Sequence, residues 1–553
     1  MPERIVVVGF GPVGARFVEE LLPGVAAGLM AVTVVGAEGF DAYNRVLVAE
    51  YAVGRVPRDS MDIADSASLE AAGVRVLTGV TVTVLNRSRH SVTLSDGREL
   101  GYDRLVLATG SRANVPTLDG IHRVRRENLR PPADSSLLDT ASAPLPKGVT
   151  VLRDLADAEL VRQSIDLGQH IVVLGAGVLG MEIALAVAAE GGTVSVVYHG
   201  EAPMARNLDR GGGMLLARAA RKAGVTMVNH ARAEAILFST DAEGQASFDA
   251  LLCADGKQIF GDLLLLSCGV GPRSELANLA GLDVAMGILV DESLATWADE
   301  RIYAIGDCAH VAPRPELGDS GRAASGGPAG LIGPGWQQAD WLAAQIMAET
   351  AGTSLPHPLA APRPTVVMLK APGVDVVAAG EFGAEPWDVE PLGPVGAAAA
   401  AAAGASTAGH ASGCGNEAAP QPRRVSLWSD PEGDRYVKMV TRNGVLEGYV
   451  AVGMPRTAAE LTLLFESGRE LPADRSVLLR FDGPDHDAGA GNALAPEATV
   501  CWCNGVTVAA ITDSVAAGND TVACIGRATR AGTGCGGCKG RITEVLALAA
   551  APA

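Results

Sequence analysis

The sequence predicts an α/β protein in which one strand–turn–helix unit occurs twice, ahead of an α+β region and a small cysteine-rich unit. In the first copy an apolar strand begins at Ile5 and a helix pattern begins at Pro12. The same order recurs at I-V-V-L-G-A-G-V-L-G-M-E-I-A, which begins at Ile171. Both turns have the spacing G-x-G-x-x-G, with Gly9, Gly11 and Gly14 in the first and Gly175, Gly177 and Gly180 in the second.

The three glycines of such a turn have separate physical roles. The first permits the tight bend, the second lets the backbone approach a pyrophosphate, and the third lets helix and strand pack closely. The phosphates then lie at a helix N-terminus, where free N–H groups and the helix dipole favour anions. One copy would be weak evidence, but both follow an apolar strand and open a helix. We therefore predict two Rossmann-like dinucleotide-binding folds.

Acidic and basic residues after the second strand of each fold indicate how the adenosine ribose is held and whether NADH or NADPH is used. Glu38 is the first candidate to hold the adenosine ribose of the first fold, although it lies slightly beyond the usual position. A solvated loop glutamate is the alternative. In the second fold the strand leads into Y-H-G-E from Tyr198, and no arginine follows before Arg206. Because an arginine would accommodate a 2′-phosphate, NADH is favoured over NADPH.

Length and charge exclude several classes of protein. A chain of 553 residues exceeds the size of a single core and predicts three or four domains. Its 44 basic and 63 acidic side chains give a net charge of -19, which repels nucleic acid and anionic lipid. No apolar run is long enough to span a membrane, and the N-terminus lacks a signal-peptide pattern. We expect a cytoplasmic protein with no nucleic-acid or membrane partner.

Proline-containing and alanine-rich stretches divide the chain. We predict a crossing between the two folds in the connector from Pro116 to Pro146. In the α+β region we predict strands at V-V-M-L, V-D-V-V-A-A-G, V-S-L-W and Y-V-K-M-V, and a helix from Ala458 to Glu466 that stops at Gly468. An alanine-rich stretch is read as a disordered insertion, with a short helix as the alternative. The predicted segments are 1–145 (first fold, first part), 146–265 (second fold), 266–350 (first fold, second part), 360–485 (α+β, with the insertion at 393–422) and 497–550 (cysteine-rich unit).

Five of the nine cysteines lie in the last tenth of the chain, which indicates metal or redox chemistry. Four of them form two close pairs, separated by a stretch that we predict to be mostly helical, and are candidate ligands: Cys501, Cys503, Cys535 and Cys538. Four thiolates suit either tetrahedral zinc or an iron–sulfur cluster, and the spacing alone does not choose. We predict that Cys253, Cys268, Cys308 and Cys524 are small buried residues and that Cys414 is exposed in the insertion.

Several motifs resemble the two-dinucleotide-binding-domain flavoprotein family: the paired turns, A-T-G from Ala108, and I-Y-A-I-G-D from Ile302. The resemblance implies FAD in the first fold and NAD(P)H in the second. Together with the glycine turns, the resemblance implies the following FAD contacts: Gly9, Gly11, Gly14, Glu38, Asn44, Arg45, Thr109, Gly110 and Asp307. The implied NAD contacts are Gly175, Gly177, Gly180, Glu182 and Gly269.

The segment A-Y-N-R-V-L-V-A-E-Y from Ala42 resembles the nitrite reductase large subunit and its relatives, which places Asn44 and Arg45 beside the flavin. The likeness covers nearly the whole chain except the alanine-rich insertion. The C-x-C and T-G-C-G-x-C forms resemble the bacterioferritin-associated ferredoxin-like (BFD-like) [2Fe-2S] domain and favour a cluster over zinc. Basic residues near the ligands would offset the cluster's charge or form a solvated helix face: Arg527, Arg530, Lys539 and Arg541.

These resemblances imply a function. Disulfide reductases of the wider family carry a C-x4-C pair or a single cysteine near the flavin in the N-terminal domain, but no cysteine precedes Cys253 here. The resemblance therefore disfavours disulfide chemistry and implies a metal centre as the destination of the electrons. We expect electrons to pass from NADH through FAD and a [2Fe-2S] cluster to a separate catalytic subunit, with the electron-transfer subunit of assimilatory nitrate reductase as the best match. The alternatives are a nitrite reductase component, a general NADH:ferredoxin or rubredoxin-type reductase, and a non-enzymatic redox-sensing or ferritin-docking module. Since the chain ends at Ala553 without a siroheme domain, we expect no nitrite reduction by it.

Overall fold

A computed structural model of the chain describes residues 1–121, 144–240, 244–314, 324, 326–328, 330–359, 366–371, 373–388, 422–482, 494–501, 504–534 and 536–550. The described residues form two compact units. The first lies within Met1–Glu201, Ala220–Pro362 and Leu494–Ala553, and the second within Ala202–Ala219 and Arg363–Ala493. The insertion predicted at 393–422 lies outside the described residues, apart from its last position.

The N-terminal part of the first unit alternates strands with short helices. Its elements are β1 (Glu3–Val8), α1 (Pro12–Ala26), β2 (Met30–Val35), a 3-10 turn (Arg45–Leu47), α2 (Val48–Ala52), a 3-10 turn (Arg58–Ser60), α3 (Ser66–Ala71), β3 (Arg75–Leu77), β4 (Val82–Asn86), β5 (Ser91–Leu94), β6 (Glu99–Gly101), β7 (Arg104–Leu107) and β8 (Ser111–Ala113). The predicted strand, turn and helix at Ile5 to Pro12 are confirmed.

The next part has the same pattern. Its elements are β9 (Val149–Val151), α4 (Leu155–Asp166), β10 (Ile171–Leu174), α5 (Val178–Ala189), β11 (Val194–Val197), α6 (Arg210–Lys222), β12 (Thr226–Val228), β13 (Ala233–Thr240), β14 (Ala246–Cys253), β15 (Gln258–Phe260), β16 (Leu263–Leu266) and β17 (Val270–Pro272). Strands β12, β11, β10, β16 and β9 form one parallel sheet in that order. All residues of β10, β11 and β16 are buried, which explains their uninterrupted apolar runs.

The chain then returns to the first sheet through β8 and β17, which pair antiparallel with Pro272 opposite Ser111. The returning elements are α7 (Glu275–Leu279), β18 (Ile288–Val290), β19 (Ala295–Thr296), β20 (Asp299–Ala304), a 3-10 turn (Gly306–Cys308), β21 (Ala309–Val311) and α8 (Ile332–Ala351). The completed sheet has eight strands in the order β21-β18-β19-β20-β7-β1-β2-β3. Strand β1 therefore has the carboxyl ends of β2 and β7 beside its own, where the first glycine turn begins.

The second unit has the predicted α+β character. Its elements are β22 (Val366–Ala371), β23 (Val374–Gly380), β24 (Arg424–Asp430), β25 (Arg435–Arg442), β26 (Val445–Val452), α9 (Pro455–Ser467), α10 (Ser476–Leu479) and a 3-10 turn (Arg480–Asp482). The strands form an antiparallel sheet in the order β22-β23-β26-β25-β24, and α9 packs on it. Helix α9 ends where Gly468 takes a left-handed conformation, as predicted.

The cysteine-rich unit is small and mostly helical, as predicted. Its elements are β27 (Thr499–Cys501), β28 (Val506–Thr507), α11 (Val508–Ala516), α12 (Val522–Thr529) and α13 (Lys539–Ala550). The helical stretch expected between the cysteine pairs is divided into two helices, because α11 ends near Gly518, which has φ +95°. A new helix then begins at Thr521, whose hydroxyl accepts a bond from the Cys524 N–H (3.1 Å). Among the described helices, none has the length and apolarity required to cross a bilayer.

Candidate nucleotide and cluster sites

Close backbone contacts require glycine at two positions of the first turn. Gly9 has φ +119°, and a Cβ there would lie 2.1 Å from the Ala108 carbonyl oxygen. A Cβ at Gly14 would lie 2.0 Å from the Gly9 oxygen. Gly11 differs, because the only atom within 4 Å of its Cβ position among the described residues is Arg45 Nε, at 3.9 Å. The turn therefore leaves space in front of the N-terminus of α1, where a phosphate fits.

The second turn repeats this geometry. Gly175 has φ +116°, and its Cβ position lies 2.2 Å from the Ser267 oxygen. The Cβ position of Gly180 lies 2.1 Å from the Gly175 oxygen. At Gly177, the first position before α5, no described atom lies within 4 Å of the Cβ position. Both turns thus place an open helix N-terminus at the end of a buried parallel strand.

Glu38 is held in a polar cluster beside the first turn. One of its carboxylate oxygens pairs with Arg45, and the other accepts a hydrogen bond from the Tyr43 hydroxyl (2.8 Å). The Arg45 guanidinium also lies over the Tyr43 ring, 4.9 Å from its centroid. Burial by itself would raise the pKa of Glu38, but Arg45 and Tyr43 hold that pKa below its usual range. Glu38 is therefore an ordered, ion-paired carboxylate and not a free solvated loop residue.

A second polar cluster surrounds Asp307, in the 3-10 turn after β20. Its Oδ2 accepts hydrogen bonds from the Ser111 hydroxyl (2.6 Å) and from Arg153 Nη2 (3.0 Å). Arg153 also accepts, through its carbonyl oxygen, a long bond from Arg45 Nη1 (3.5 Å). The two predicted residues Asp307 and Arg45 are thus joined through Arg153. The sequence did not indicate Arg153, because it lies in the connection between β9 and α4, which carries no motif.

Four of the remaining predicted FAD and NAD positions are Thr109, Gly110, Gly269 and Glu182. Thr109 donates from its hydroxyl to the Arg273 carbonyl oxygen (2.6 Å), and Gly110 has φ +68°. Gly269 has φ +83°, and its carbonyl accepts from the Asn114 N–H (2.9 Å). Glu182 is half-buried on α5, in the turn of helix that follows Gly180.

Asn44 is directed toward the cysteine-rich unit. It is 2% exposed, and its Nδ2 donates to the carbonyl oxygens of Thr533 (2.9 Å) and Gly534. Its Oδ1 accepts from the Val46 N–H (3.1 Å). The sequence indicated a flavin-side residue here but not this contact across almost 500 positions of the chain.

Two of the four candidate ligands lie within the described residues and converge. Cys501 and Cys538 are buried, and the hydrogen bond between their sulfur atoms, aided by N–H groups of Gly532 and Asn504, lowers the pKa of Cys501 to about 6 despite its burial. Cys503 and Cys535 lie outside the described residues. Two buried soft thiols, one already favouring the thiolate, fit an iron–sulfur or zinc site.

The remaining cysteines agree only in part with expectation. Cys253 and Cys308 are buried, as predicted, whereas the prediction is wrong for Cys268 and Cys524, which are only partly buried. Cys524 lies at the edge of α12, where its sulfur accepts from Arg527 Nη2 (3.0 Å). Cys414 lies outside the described residues.

The second unit contains a buried ionic cluster that the sequence did not reveal. Lys438 is fully buried, with its Nζ 3.1 Å from Glu385 Oε1 and 3.4 Å from Asp209 Oδ2. The Tyr436 hydroxyl donates to the same Asp209 oxygen. This cluster joins the segment Ala202–Ala219 to the antiparallel sheet, although that segment was predicted within the second dinucleotide fold.

Comparison with known proteins gives two family matches. Residues 3–325 match the pyridine nucleotide-disulphide oxidoreductase family, and residues 499–547 match the BFD-like [2Fe-2S] binding domain. The assimilatory nitrate reductase electron transfer subunit of Bacillus subtilis (strain 168) is 25% identical over 98% of this chain and 59% of its own length. The nitrite reductase (NADH) large subunit of Escherichia coli (strain K12) is 28% identical over 98% of this chain and 55% of its own. The chain thus spans little more than half the length of these relatives.

Other similarities concern the reductase portion and the fold. Putidaredoxin reductase of Pseudomonas putida is 31% identical over 56% of this chain and 67% of its own length. The crystal structure of the covalent putidaredoxin reductase–putidaredoxin complex has a TM-score of 0.61 at 22% identity, covering 86% of this chain and 95% of that one. An NAD-dependent persulfide reductase from A. fulgidus has a TM-score of 0.61 at 23% identity, covering 84% and 77%. These structures confirm the two-dinucleotide-fold architecture.

The family matches establish FAD, NAD(P)H and a [2Fe-2S] cluster as the cofactors, and the described residues fit them. Each turn leaves its helix N-terminus open at the middle glycine, while a Cβ at the first or third glycine would clash with a backbone oxygen. Two buried cysteines of the matched [2Fe-2S] domain already touch. The chain belongs to the pyridine nucleotide-disulphide oxidoreductase family and carries a BFD-like [2Fe-2S] domain near its C-terminus.

Proposed function

We propose that this chain passes electrons from NADH through FAD and a [2Fe-2S] cluster to a separate catalytic subunit, and that this subunit is an assimilatory nitrate reductase. The observation that carries the proposal is the contact of Asn44 with Thr533 and Gly534, which places the loop before Cys538 against the first glycine fold. The name of the Bacillus subtilis electron transfer subunit, and its match to 98% of this chain, support the choice of acceptor.

Two other enzyme functions have specific support. Similarity to the Escherichia coli nitrite reductase large subunit supports a role as a nitrite reductase component. Similarity to putidaredoxin reductase supports a role as a general NADH:ferredoxin or rubredoxin-type reductase. A non-enzymatic sensing or docking module is disfavoured, because both turns retain an open helix N-terminus and Asp307 keeps its polar partners.

The residues of the first fold would hold FAD. The N–H groups after Gly11 would bind its pyrophosphate, and the Glu38 carboxylate would accept hydrogen bonds from the adenosine ribose. Asp307, oriented by Ser111 and Arg153, would bind the ribityl-phosphate region. Asn44, Arg45, Thr109 and Gly110 would line the remainder of that site.

The residues of the second fold would hold NADH, and the cysteines the cluster. The pyrophosphate would lie on the helix N-terminus after Gly177, with Gly175, Gly180, Glu182 and Gly269 completing the site. The proposed cluster ligands are Cys501, Cys503, Cys535 and Cys538. Bound FAD accepts the two electrons of a hydride together, and a [2Fe-2S] centre takes electrons singly.

Replacing one cluster ligand tests this electron order. In Cys503→Ser, NADH should still bleach the flavin and support ferricyanide reduction, because the nucleotide folds are unchanged. Electron transfer to a purified catalytic nitrate reductase subunit should fall to background. Cys524→Ser is the matched control, since Cys524 lies in the same unit but outside the ligand set, and it should transfer electrons normally.

Two results would contradict the proposal. Partner reduction at the wild-type rate in Cys503→Ser protein shown to lack iron would make the flavin the direct donor. Loss of ferricyanide reduction with FAD retained would show that the cluster is needed for flavin reduction, which this electron order forbids. Zinc without iron after anaerobic purification would overturn the cluster assignment.

A further inference from the structure

The segment that precedes Cys538 contacts the first dinucleotide fold at two places. We call four of its described residues the docking loop: Arg530, Thr533, Gly534 and Gly536. Thr533 and Gly534 accept hydrogen bonds from Asn44, and Leu47 Cδ2 lies 4.0 Å from the Cβ position of Gly536. At the second place, Arg530 Nη2 lies 3.0 Å from Glu20 Oε1 and 4.0 Å from Glu19 Oε2, both on α1.

We infer that the docking loop holds the cluster site against the FAD-binding fold, with Asn44 as the positioning residue and the Arg530–Glu20 pair as a weaker, salt-sensitive second contact. This inference rests on the proposed function for its role in electron transfer. The docking itself is independent of that role and has its own readout.

The Asn44 contact is the stronger of the two. Its side chain is 2% exposed, and its amide is oriented by the bond from the Val46 N–H to Oδ1, which directs Nδ2 at the docking loop. Truncating Asn44 would leave the two carbonyl oxygens without this donor in a buried place, which weakens an association by about 10-fold or more.

The ionic contact is weaker because water reaches it. The side chains of Arg530 and Glu20 are 38% and 35% exposed. Exposed ion pairs contribute little, about two- to fivefold in an equilibrium, and salt screens them over about 10 Å at 0.1 M. The Arg530 guanidinium contacts carboxylates of α1. Of the two roles considered for this residue, it therefore does not serve only as part of a solvated helix face.

The docking loop is also joined to a cluster ligand. Asn504 Nδ2 donates to the Arg530 carbonyl oxygen (2.7 Å) and to the Thr533 hydroxyl (3.3 Å), and lies 3.7 Å from Cys501 Sγ. A displacement of the loop would therefore move groups that touch the cluster site. In the proposed electron order, FAD held by the first fold would give up the two electrons of a hydride one at a time to a cluster held by the proposed cysteines, and the proton would pass to solvent. The catalytic partner would remove the first electron before the second is transferred.

Hydrogen–deuterium exchange on the full chain measures docking without turnover. Glu20→Arg should raise the exchange of peptides covering 45–47 and 533–536 about two- to fivefold, and the swap Glu20→Arg with Arg530→Glu should restore it. Arg527→Glu is the matched control, since Arg527 lies on α12, the helix that ends just before Arg530, but contacts Cys524, and it should leave exchange unchanged. Asn44→Ala should raise exchange most, about 10-fold or more.

Anaerobic stopped-flow kinetics then measure the consequence. At equal iron content, Glu20→Arg should slow cluster reduction, leave flavin reduction by NADH unchanged, and be rescued by the charge swap. Unchanged exchange in Asn44→Ala and Glu20→Arg would overturn docking. Raised exchange with unaltered cluster reduction would overturn the positioning role. Because Asn44 is also proposed to line the FAD site, Asn44→Ala is measured in its FAD-loaded fraction. A wild-type cluster that NADH does not reduce would contradict the proposed function while leaving the exchange result intact.

Discussion

The two glycine turns share a backbone geometry but differ in what stands in front of them. Gly9 and Gly175 have φ +119° and +116°, and their Cβ positions clash alike with a carbonyl oxygen of a neighbouring strand end. Arg45 Nε lies 3.9 Å from the Cβ position of Gly11, whereas no described atom lies within 4 Å of that of Gly177. The first turn is therefore flanked by charged side chains, and the second is open.

The side chains near the strand ends of the two folds differ in the same way. In the first fold Glu38 is ion-paired with Arg45, and Asp307 accepts hydrogen bonds from Ser111 and Arg153. In the second fold, strand β11 is followed by Tyr198 and by the exposed His199. The G-x-G-x-x-G signature thus determines a turn, while side chains from distant segments determine its ligand. An enclosed site suits a nucleotide that stays bound, and an open one suits a nucleotide that exchanges.

The largest expected effect tests what the turns share. Gly14→Ala and Gly180→Ala each place a Cβ about 2 Å from a backbone oxygen, so each should destabilise its fold by roughly 3 kcal/mol. Thermal unfolding of the purified variants measures this, with Gly177→Ala as a control that should unfold like the wild type. A wild-type melting temperature for Gly180→Ala would show that the turn is looser than described.

Asp307→Asn should have an intermediate effect confined to the first fold. The substitution removes the charge that pairs with Arg153, so retention of FAD through gel filtration should fall about 10-fold. The Michaelis constant for NADH in the flavin-loaded fraction should not change. A raised constant with full FAD content would place Asp307 in the nicotinamide site.

The smallest expected effect concerns the choice of nicotinamide nucleotide. His199 is exposed at the strand exit where a 2′-phosphate would lie, so His199→Arg should raise kcat/KM for NADPH a few-fold with little change for NADH. Steady-state assays with both nucleotides and ferricyanide as acceptor measure it. A wild-type protein that prefers NADPH would refute the expectation of NADH use.

The elements that the sequence predicted well depend on local patterns. The strands before Gly9 and Gly175 are continuous apolar runs, and the helix end at Gly468 needs a left-handed residue, so neighbours along the chain decide both. Strand β26 (Val445–Val452) was not singled out, although it lies between two predicted strands of its sheet.

What the sequence could not predict depends on long-range contacts. The Asn44 bonds to Thr533 and Gly534 join residues almost 500 positions apart, and no local pattern indicates them. Lys438 reads as a surface lysine within Y-V-K-M-V but is fully buried, because Asp209 supplies its counter-charge from another segment. Polar partners across the fold are set by tertiary packing, which spacing along the chain does not encode.

The division of labour between the two folds is tested most directly by the pair Gly11→Ala and Gly177→Ala. At both positions a methyl group meets no clash in the described structure, so each variant should fold. The measurement is FAD content per chain together with the Michaelis constant for NADH. We predict that Gly11→Ala loses FAD, and that Gly177→Ala keeps FAD while its Michaelis constant rises about 10-fold. Equal loss of FAD from both variants would contradict the account.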